Sequence, residues 1–250
     1  HNEIMGAVKA WKIKDSTFVI PGMEASTKEG VHTLLYFHDL SDCKQFYNEI
    51  VKPLKQKNPF FLQISVSDLI TRAKGYNAFI SASHPYGPGR IGIRKTGFGI
   101  KHLIHKLDAI EGLNGANLRR MNKKAIRWSK YIHKGMTAGS DGHMNAELGN
   151  NLTMAYGYDI ETFLASIKNG YNLILGKEQN LLIDLFRQVI KEKNYFKRAR
   201  ALGEGKLWLK DHSISKERLT ELYNNHELYH KRKRIINSKY YLKIGENFFK

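Results

Sequence analysis

The sequence predicts an α/β protein with parallel strands, as an open sheet or closed into a barrel, followed by a basic helical extension. Three observations predict this. Short apolar runs alternate with helical patterns over residues 1–176. Glycine and proline punctuate that stretch regularly, with no internal repeat or low-complexity segment. After Glu178 the texture changes to a long helical pattern and then to dense Lys and Arg. A domain boundary is therefore placed near residue 177, giving a main domain over 1–177 and a basic, mainly helical extension over 178–250.

Thr17-Phe18-Val19-Ile20 reads as the first strand and ends at Pro21-Gly22. Residues 33–37 read as a second, and residues 77–82 as a third that ends at Ser83-His84-Pro85. Ala109-Ile110-Glu111 and Leu173-Ile174-Leu175 are further strands. Each run is too short for a helix and is bounded by turn residues. Residues 42–57 read as a helix, with apolar side chains at 46, 47, 50, 51 and 54. Residues 116–133 and 160–169 follow as helices. The last begins after Asp159, a good N-cap, and stops at Gly170, a good C′ residue. Residues 178–200 form one helical pattern with Leu181, Leu182, Leu185, Phe186, Val189 and Ile190 on its apolar side.

Composition bounds the function. The chain has 250 residues, 42% of them hydrophobic, enough for a sizeable core, and this excludes disorder over the whole length. Lys and Arg total 41 against 23 Asp and Glu, a formal net charge of +18. Such an excess favours polyanionic partners, namely nucleic acid, phosphorylated substrates or an acidic membrane surface, although lysine on solvated faces gives the same balance. The single cysteine, Cys43, excludes an internal disulfide and a cysteine-based zinc site, and fits a reducing, cytoplasmic setting. No apolar run approaches the ~20 residues of a membrane helix. The chain opens at His1 rather than at methionine, so the natural start is expected upstream.

In α/β folds chemistry gathers at the carboxyl ends of strands. Glu24 follows the Pro21-Gly22 turn, His32 opens a strand, His84 follows one, and Asp141 and His143 lie in Ala138-Gly139-Ser140-Asp141-Gly142-His143. Singly, each has an ordinary structural role, as a hydrogen-bonded histidine or a turn-forming aspartate. Together they supply imidazole and carboxylate donors that suit Zn, Mn or Fe ions. Gly87-Pro88-Gly89-Arg90 and Arg94-Lys95 follow His84 directly. Arg90, Arg94 and Lys95 are candidate contacts to a substrate phosphate. His38, His102, His105, His133, His212, His226 and His230 read as surface or structural histidines.

Four segments resemble successive motifs of the PHP (polymerase and histidinol phosphatase) superfamily. They are Val19-Ile20-Pro21-Gly22-Met23-Glu24, Gly30-Val31-His32-Thr33-Leu34-Leu35, Ser81-Ala82-Ser83-His84-Pro85 and Gly139-Ser140-Asp141-Gly142-His143. Asp108-Ala109-Ile110-Glu111-Gly112-Leu113-Asn114 resembles the segment between the last two, and His1 looks like the final histidine of a Thr-Asp-His motif. The resemblance spans about residues 1–176. It implies a distorted (β/α)₇ barrel, here without its first strand or strands, and up to three divalent metal ions. By the same resemblance Glu24 bridges two metals and His32 and His84 complete the second site. Asp141 belongs to the first site, with a His-x-His pair absent from this sequence, and His1 and His143 belong to the third.

The resulting expectation is hydrolysis of a phosphate ester by a metal-activated water, with no separate protein nucleophile and with a nucleotide or nucleic acid as the favoured substrate. The alternative is a non-catalytic PHP-like module that binds nucleic acid or a protein partner through its basic surface. Lys197, Arg198, Arg200 and Lys231-Arg232-Lys233-Arg234 have Tyr195, Phe196, Tyr229, Tyr240 and Tyr241 close in sequence. Charge can track a phosphate backbone and aromatic faces can stack on unpaired bases. The competing reading is a solvated helical face whose aromatics pack on the main domain.

Overall fold

A computed structural model describes residues 1–15, 17–55, 61–87, 92–95, 103–142 and 147–178. The chain divides into two compact units, 1–179 and 180–250. The expectations for the basic extension beyond residue 178, for His143 and for Arg90 lie outside the described residues.

The first unit opens with helix α1 (Met5–Ile13), then strands β1 (Gly22–Ser26) and β2 (His32–Tyr36). Helix α2 (Leu40–Phe46) continues through a π-helical turn (Tyr47–Val51) into the single turn α3 (Lys52–Leu54). Pro53 accounts for the wide turn. Its ring would collide with the carbonyl four residues back in a regular α-helix, and the Lys52 amide bonds instead to the Tyr47 carbonyl. Then come α4 (Val66–Lys74), β3 (Phe79–Ala82), two short 3₁₀ turns (Ile93–Lys95 and Ile104–Lys106), β4 (Ala109–Asn114), α5 (Arg119–Tyr131), β5 (Gly135–Gly139), β6 (Asn151–Ala155), α6 (Ile160–Lys168) and β7 (Asn172–Gly176).

Five strands form one sheet in the order β1-β2-β3-β4-β5, and β6 pairs with β7 in a second. The expectation of parallel strands is corrected here. β1 with β2, β2 with β3, and β6 with β7 are antiparallel, whereas β3, β4 and β5 run parallel. The β1–β2 link spans only residues 27–31, far too short for a crossover, and Gly30 takes φ +75° to close it. The first strand is also displaced from its predicted place. Residues 17–20 are not strand, Phe18 is exposed, and pairing begins at Gly22, opposite Tyr36.

Local sequence explains the best-formed helices. Ser65 caps α4 by accepting from the Asp68 amide, and Val66, Leu69, Ile70 and Ala73 bury one face at helical spacing. Asp159 and Thr162 form a reciprocal capping box on α6, and Gly170 at φ +77° follows its C-terminus, as the sequence predicted. The main core joins Val31, Leu35 and Phe37 to Cys43, Phe46, Leu69, Ile70, Ile80 and Ile110. Each such apolar side chain contributes about 1.5–3 kcal/mol on burial. A smaller cluster packs Leu164 and Ile167 of α6 on Phe79 and Ala109. A Cβ at Gly135 would lie 1.7 Å from the Ile167 carbonyl oxygen, so α6 reaches β5 only because that residue is glycine.

The two ends of the sheet differ in chemistry. At the amino end of β4, the buried Asp108 carboxylate pairs with Lys74, with Lys168 at 3.3 Å and with the Ile80 amide at 2.9 Å. The opposite edge carries the histidines.

Candidate metal centre

Topology brings the candidate ligands to one edge. His84 lies just past the carboxyl end of β3, and Asp141 just past that of β5. β2 runs antiparallel to β3, so its amino end meets the carboxyl end of β3, with Thr33 opposite Ala82. His32, the first residue of β2, is therefore delivered to the same edge. Glu24 is not a strand-end residue, as expected from the Pro21-Gly22 turn, but sits within β1 opposite Leu34. Its neighbours Met23 and Ala25 are buried, and the strand's alternation turns Glu24 to the other face.

Three imidazoles converge on this one carboxylate. His1 Nε2 is 2.8 Å from Glu24 Oε2. His32 Nδ1 and His84 Nε2 are 3.1 and 3.2 Å from Glu24 Oε1 and 3.3 Å from each other. The Ser83 hydroxyl donates to the same Oε1 at 2.9 Å. Asn2 fixes His1 beside β1: its amide donates to the Glu24 carbonyl and its side-chain oxygen accepts from the Ser26 amide, both at 2.8 Å. Asn2 thus occupies the strand edge as a pairing residue would, at φ +56°.

A second group connects His84 to Asp141. Glu111, in the wholly buried strand β4, accepts from the His84 amide at 2.6 Å and from Asn114 Nδ2 at 3.1 Å. The same Asn114 nitrogen donates to Asp141 Oδ2 at 3.3 Å.

These surroundings set the protonation. Burial pushes the Glu24 carboxyl up, but hydrogen bonds from His1, His32 and His84 outweigh it and hold the group well below its ordinary value. Burial lowers His32, against the pull of Glu24. His84 is raised to about 9: burial opposes this, but the hydrogen bond to Glu24 and the charges of Glu111, Glu24 and Asp141 prevail. Burial raises Glu111 to about 7, with the charge and backbone amide of His84 opposing.

The donor set fits divalent metal ions. One ligand atom each from His1, Glu24 and His32 lies within 4.8 Å of the others. Ligands at ~2.0–2.1 Å from a tetrahedral zinc ion stand roughly 3.3–3.4 Å apart, close to the spacings above. Glu24 faces His1 with one oxygen and His32 and His84 with the other.

Arg94 does not join this cluster among the described contacts. Its Nε donates to the Tyr86 hydroxyl at 3.3 Å and its guanidinium lies 5.3 Å from the Trp128 ring. The backbone of Lys95 is in a 3₁₀ turn, and its side chain lies outside the described residues. The sequence reading assigned no role to Glu111, Asn114, Asn2 or Ser83. A carboxylate within the apolar run 109–113 was the available signal for Glu111, since a strand buried on both faces admits a charge only with partners.

Fold and site define an α/β protein with a histidine–carboxylate cluster at one edge of its sheet. Residues 119–171 match the family model described as PHP-associated. The match covers about a fifth of the chain and lies within the stretch whose motifs resemble the PHP superfamily. Among curated proteins none matches. Several solved structures are similar, among them these three. A two-domain protein from Bacteroides vulgatus, containing a predicted PHP-like metal-dependent phosphoesterase, aligns at 19% identity and TM-score 0.47, over 68% of this chain and 47% of that one. PsfC from Pseudomonas syringae aligns at 16% identity and TM-score 0.47, over 68% and 66%. A lesion-specific endonuclease from Pyrococcus furiosus aligns at 19% identity and TM-score 0.43, over 64% and 42%. The chain thus spans less than two thirds of each of these proteins.

Proposed function

We propose that this chain carries the metal-binding part of a PHP-type phosphoesterase, with residues 1–177 forming a distorted (β/α)₇ barrel that lacks its first strand or strands. The observation that supports it best is the convergence of His1, His32 and His84, from three separate chain segments, on the two oxygens of Glu24. His1, Glu24, His32, His84 and Asp141 would hold the ions, and by the resemblance of its motif His143 would be a further ligand. Bound divalent ions lower the pKa of water towards ~7 and offset the charge of a phosphate group. The chain's own part is to fix the donors: Asn2 seats His1 on β1, Ser83 holds Glu24, and Glu111 and Asn114 tie His84 to Asp141. The net charge of +18 favours a polyanionic substrate, and a nucleotide or nucleic acid is the class proposed.

The test is hydrolysis of a simple phosphodiester, bis(p-nitrophenyl) phosphate, with added Mn²⁺. Activity is expected to vanish with chelator and in His84→Ala and Asp141→Ala, since water replaces such ligands poorly. His105→Ala, away from the cluster, is expected to be neutral. Turnover that survives both chelation and His84→Ala refutes the reading.

A further inference from the structure

We propose that Glu111 is a positioning residue that locks His84 and Asp141 into one arrangement across β3, β4 and β5, an inference that rests on the metal-binding reading above. The residue is 4% exposed and sits in a strand buried at every position. A carboxylate there is costly unless its oxygens are engaged. Its Oε2 holds the His84 backbone amide at 2.6 Å and Asn114 Nδ2 at 3.1 Å, and that amide group reaches Asp141 Oδ2 at 3.3 Å. A continuous chain of hydrogen bonds thus runs from the main chain of one proposed ligand to the side chain of another.

The two ends of that chain are where the backbone needs holding. His84 has φ +23° and Asp141 has φ +49°, both in the left-handed region. Such conformations cost roughly 1–3 kcal/mol each and persist only where the surroundings fix them. Glu111 grips the first through its amide, and Asn114 grips the second through its carboxylate. The neighbouring strand makes room for this. The β4–β5 register shifts between Glu111 and Leu113, and a Cβ at Gly139 would stand 3.0 Å from Glu111 Oε1. A bulge of this kind re-aims the side chains beside it. The bonds formed are those of an acceptor to two N–H donors, so the role requires an oxygen in this place rather than a negative charge.

That requirement separates positioning from ligation. Mn²⁺ is titrated calorimetrically into the full chain and into Glu111→Gln, Glu111→Ala and Asn114→Ala, with folding followed by circular dichroism and thermal unfolding. Glu111→Gln keeps a carbonyl oxygen that can accept both bonds and is expected to bind close to wild type. Glu111→Ala is expected to bind about 10–100-fold more weakly, the usual loss when an outer partner of a metal ligand is removed. Asn114→Ala severs the link to Asp141 and is expected to weaken binding in the same range, which decides the matter if Glu111→Ala does not fold. Folded Glu111→Ala or Asn114→Ala with wild-type affinity overturns the inference. Glu111→Gln as weak as Glu111→Ala also overturns it, by making the charge essential. A wild-type chain without Mn²⁺ affinity overturns the metal reading itself, a result distinct from either.

Discussion

Glu24 is an ionised carboxylate in a largely enclosed place, and its neighbours explain why it can be. Burial disfavours the charge, while three imidazole partners and the Ser83 hydroxyl favour it. Divalent ions seated among the same donors would act in the same direction. At this scale the sequence marked several residues of the candidate site. His32 and His84 each adjoin an apolar run that ends in turn residues, and both lie where that pattern put them. Glu111 and Asn2 were not legible as site residues, because a side chain that acts by holding another carries no spacing signature. Cys43 offers a separate residue-scale prediction. It is fully buried, and burial raises its thiol from 9.0 to about 11. Below pH 9 the thiol is protonated whether the chain is folded or not. Between pH 9 and about 11 the unfolded chain gains by losing that proton and the folded chain does not, so stability falls as pH rises through this window. Urea unfolding of the wild type at pH 8 and pH 10.5 is expected to show that fall, and Cys43→Ala to show less of it. An equal pH dependence in both proteins would assign the effect to other groups.

Among elements, α6 was read almost to the residue, whereas α4, capped as explicitly by Ser65, was not anticipated, and β1 was misplaced. The α6 capping box and the Gly170 terminus are local chemistry, fixed by a few adjacent side chains. Replacing Asp159 by alanine removes acceptors for the Thr162 amide and hydroxyl and is expected to lower stability by about 1 kcal/mol, measured by chemical denaturation. Gly135→Ala is expected to cost considerably more, because the new methyl would meet the Ile167 carbonyl. If Gly135→Ala is the milder of the two, α6 does not dock on β5 as described. The β1 strand was misplaced for the opposite reason. Thr17-Phe18-Val19-Ile20 has high strand propensity but no strand partner among the described residues, whereas Gly22-Met23-Glu24-Ala25-Ser26 has poor propensity and a full antiparallel ladder with β2. Pairing, a tertiary matter, won over composition. The same holds for strand direction, since three of the pairings are antiparallel where alternation alone suggested parallel ones.

For the whole molecule, charge and site point to related chemistry. No helix among the described residues is long and apolar enough to cross a membrane. The excess of Lys and Arg culminates in 231–234, a segment for which the sequence is the guide. If it contacts single-stranded nucleic acid, affinity of the full chain is expected to fall with salt at a log–log slope of about −0.7 per phosphate neutralised. Neutralising Lys231, Arg232, Lys233 and Arg234 is then expected to make the slope shallower, and an unchanged affinity and slope would leave these residues a structural role only. The central claim concerns the other unit, where one carboxylate gathers three histidines at the edge of a mixed sheet. It is tested most directly by an anomalous difference map from crystals of the chain grown with Mn²⁺. The account predicts a peak within about 2.3 Å of a Glu24 oxygen and of at least one nitrogen among His1, His32 and His84. A map with Mn²⁺ bound elsewhere and no peak at Glu24 would contradict it.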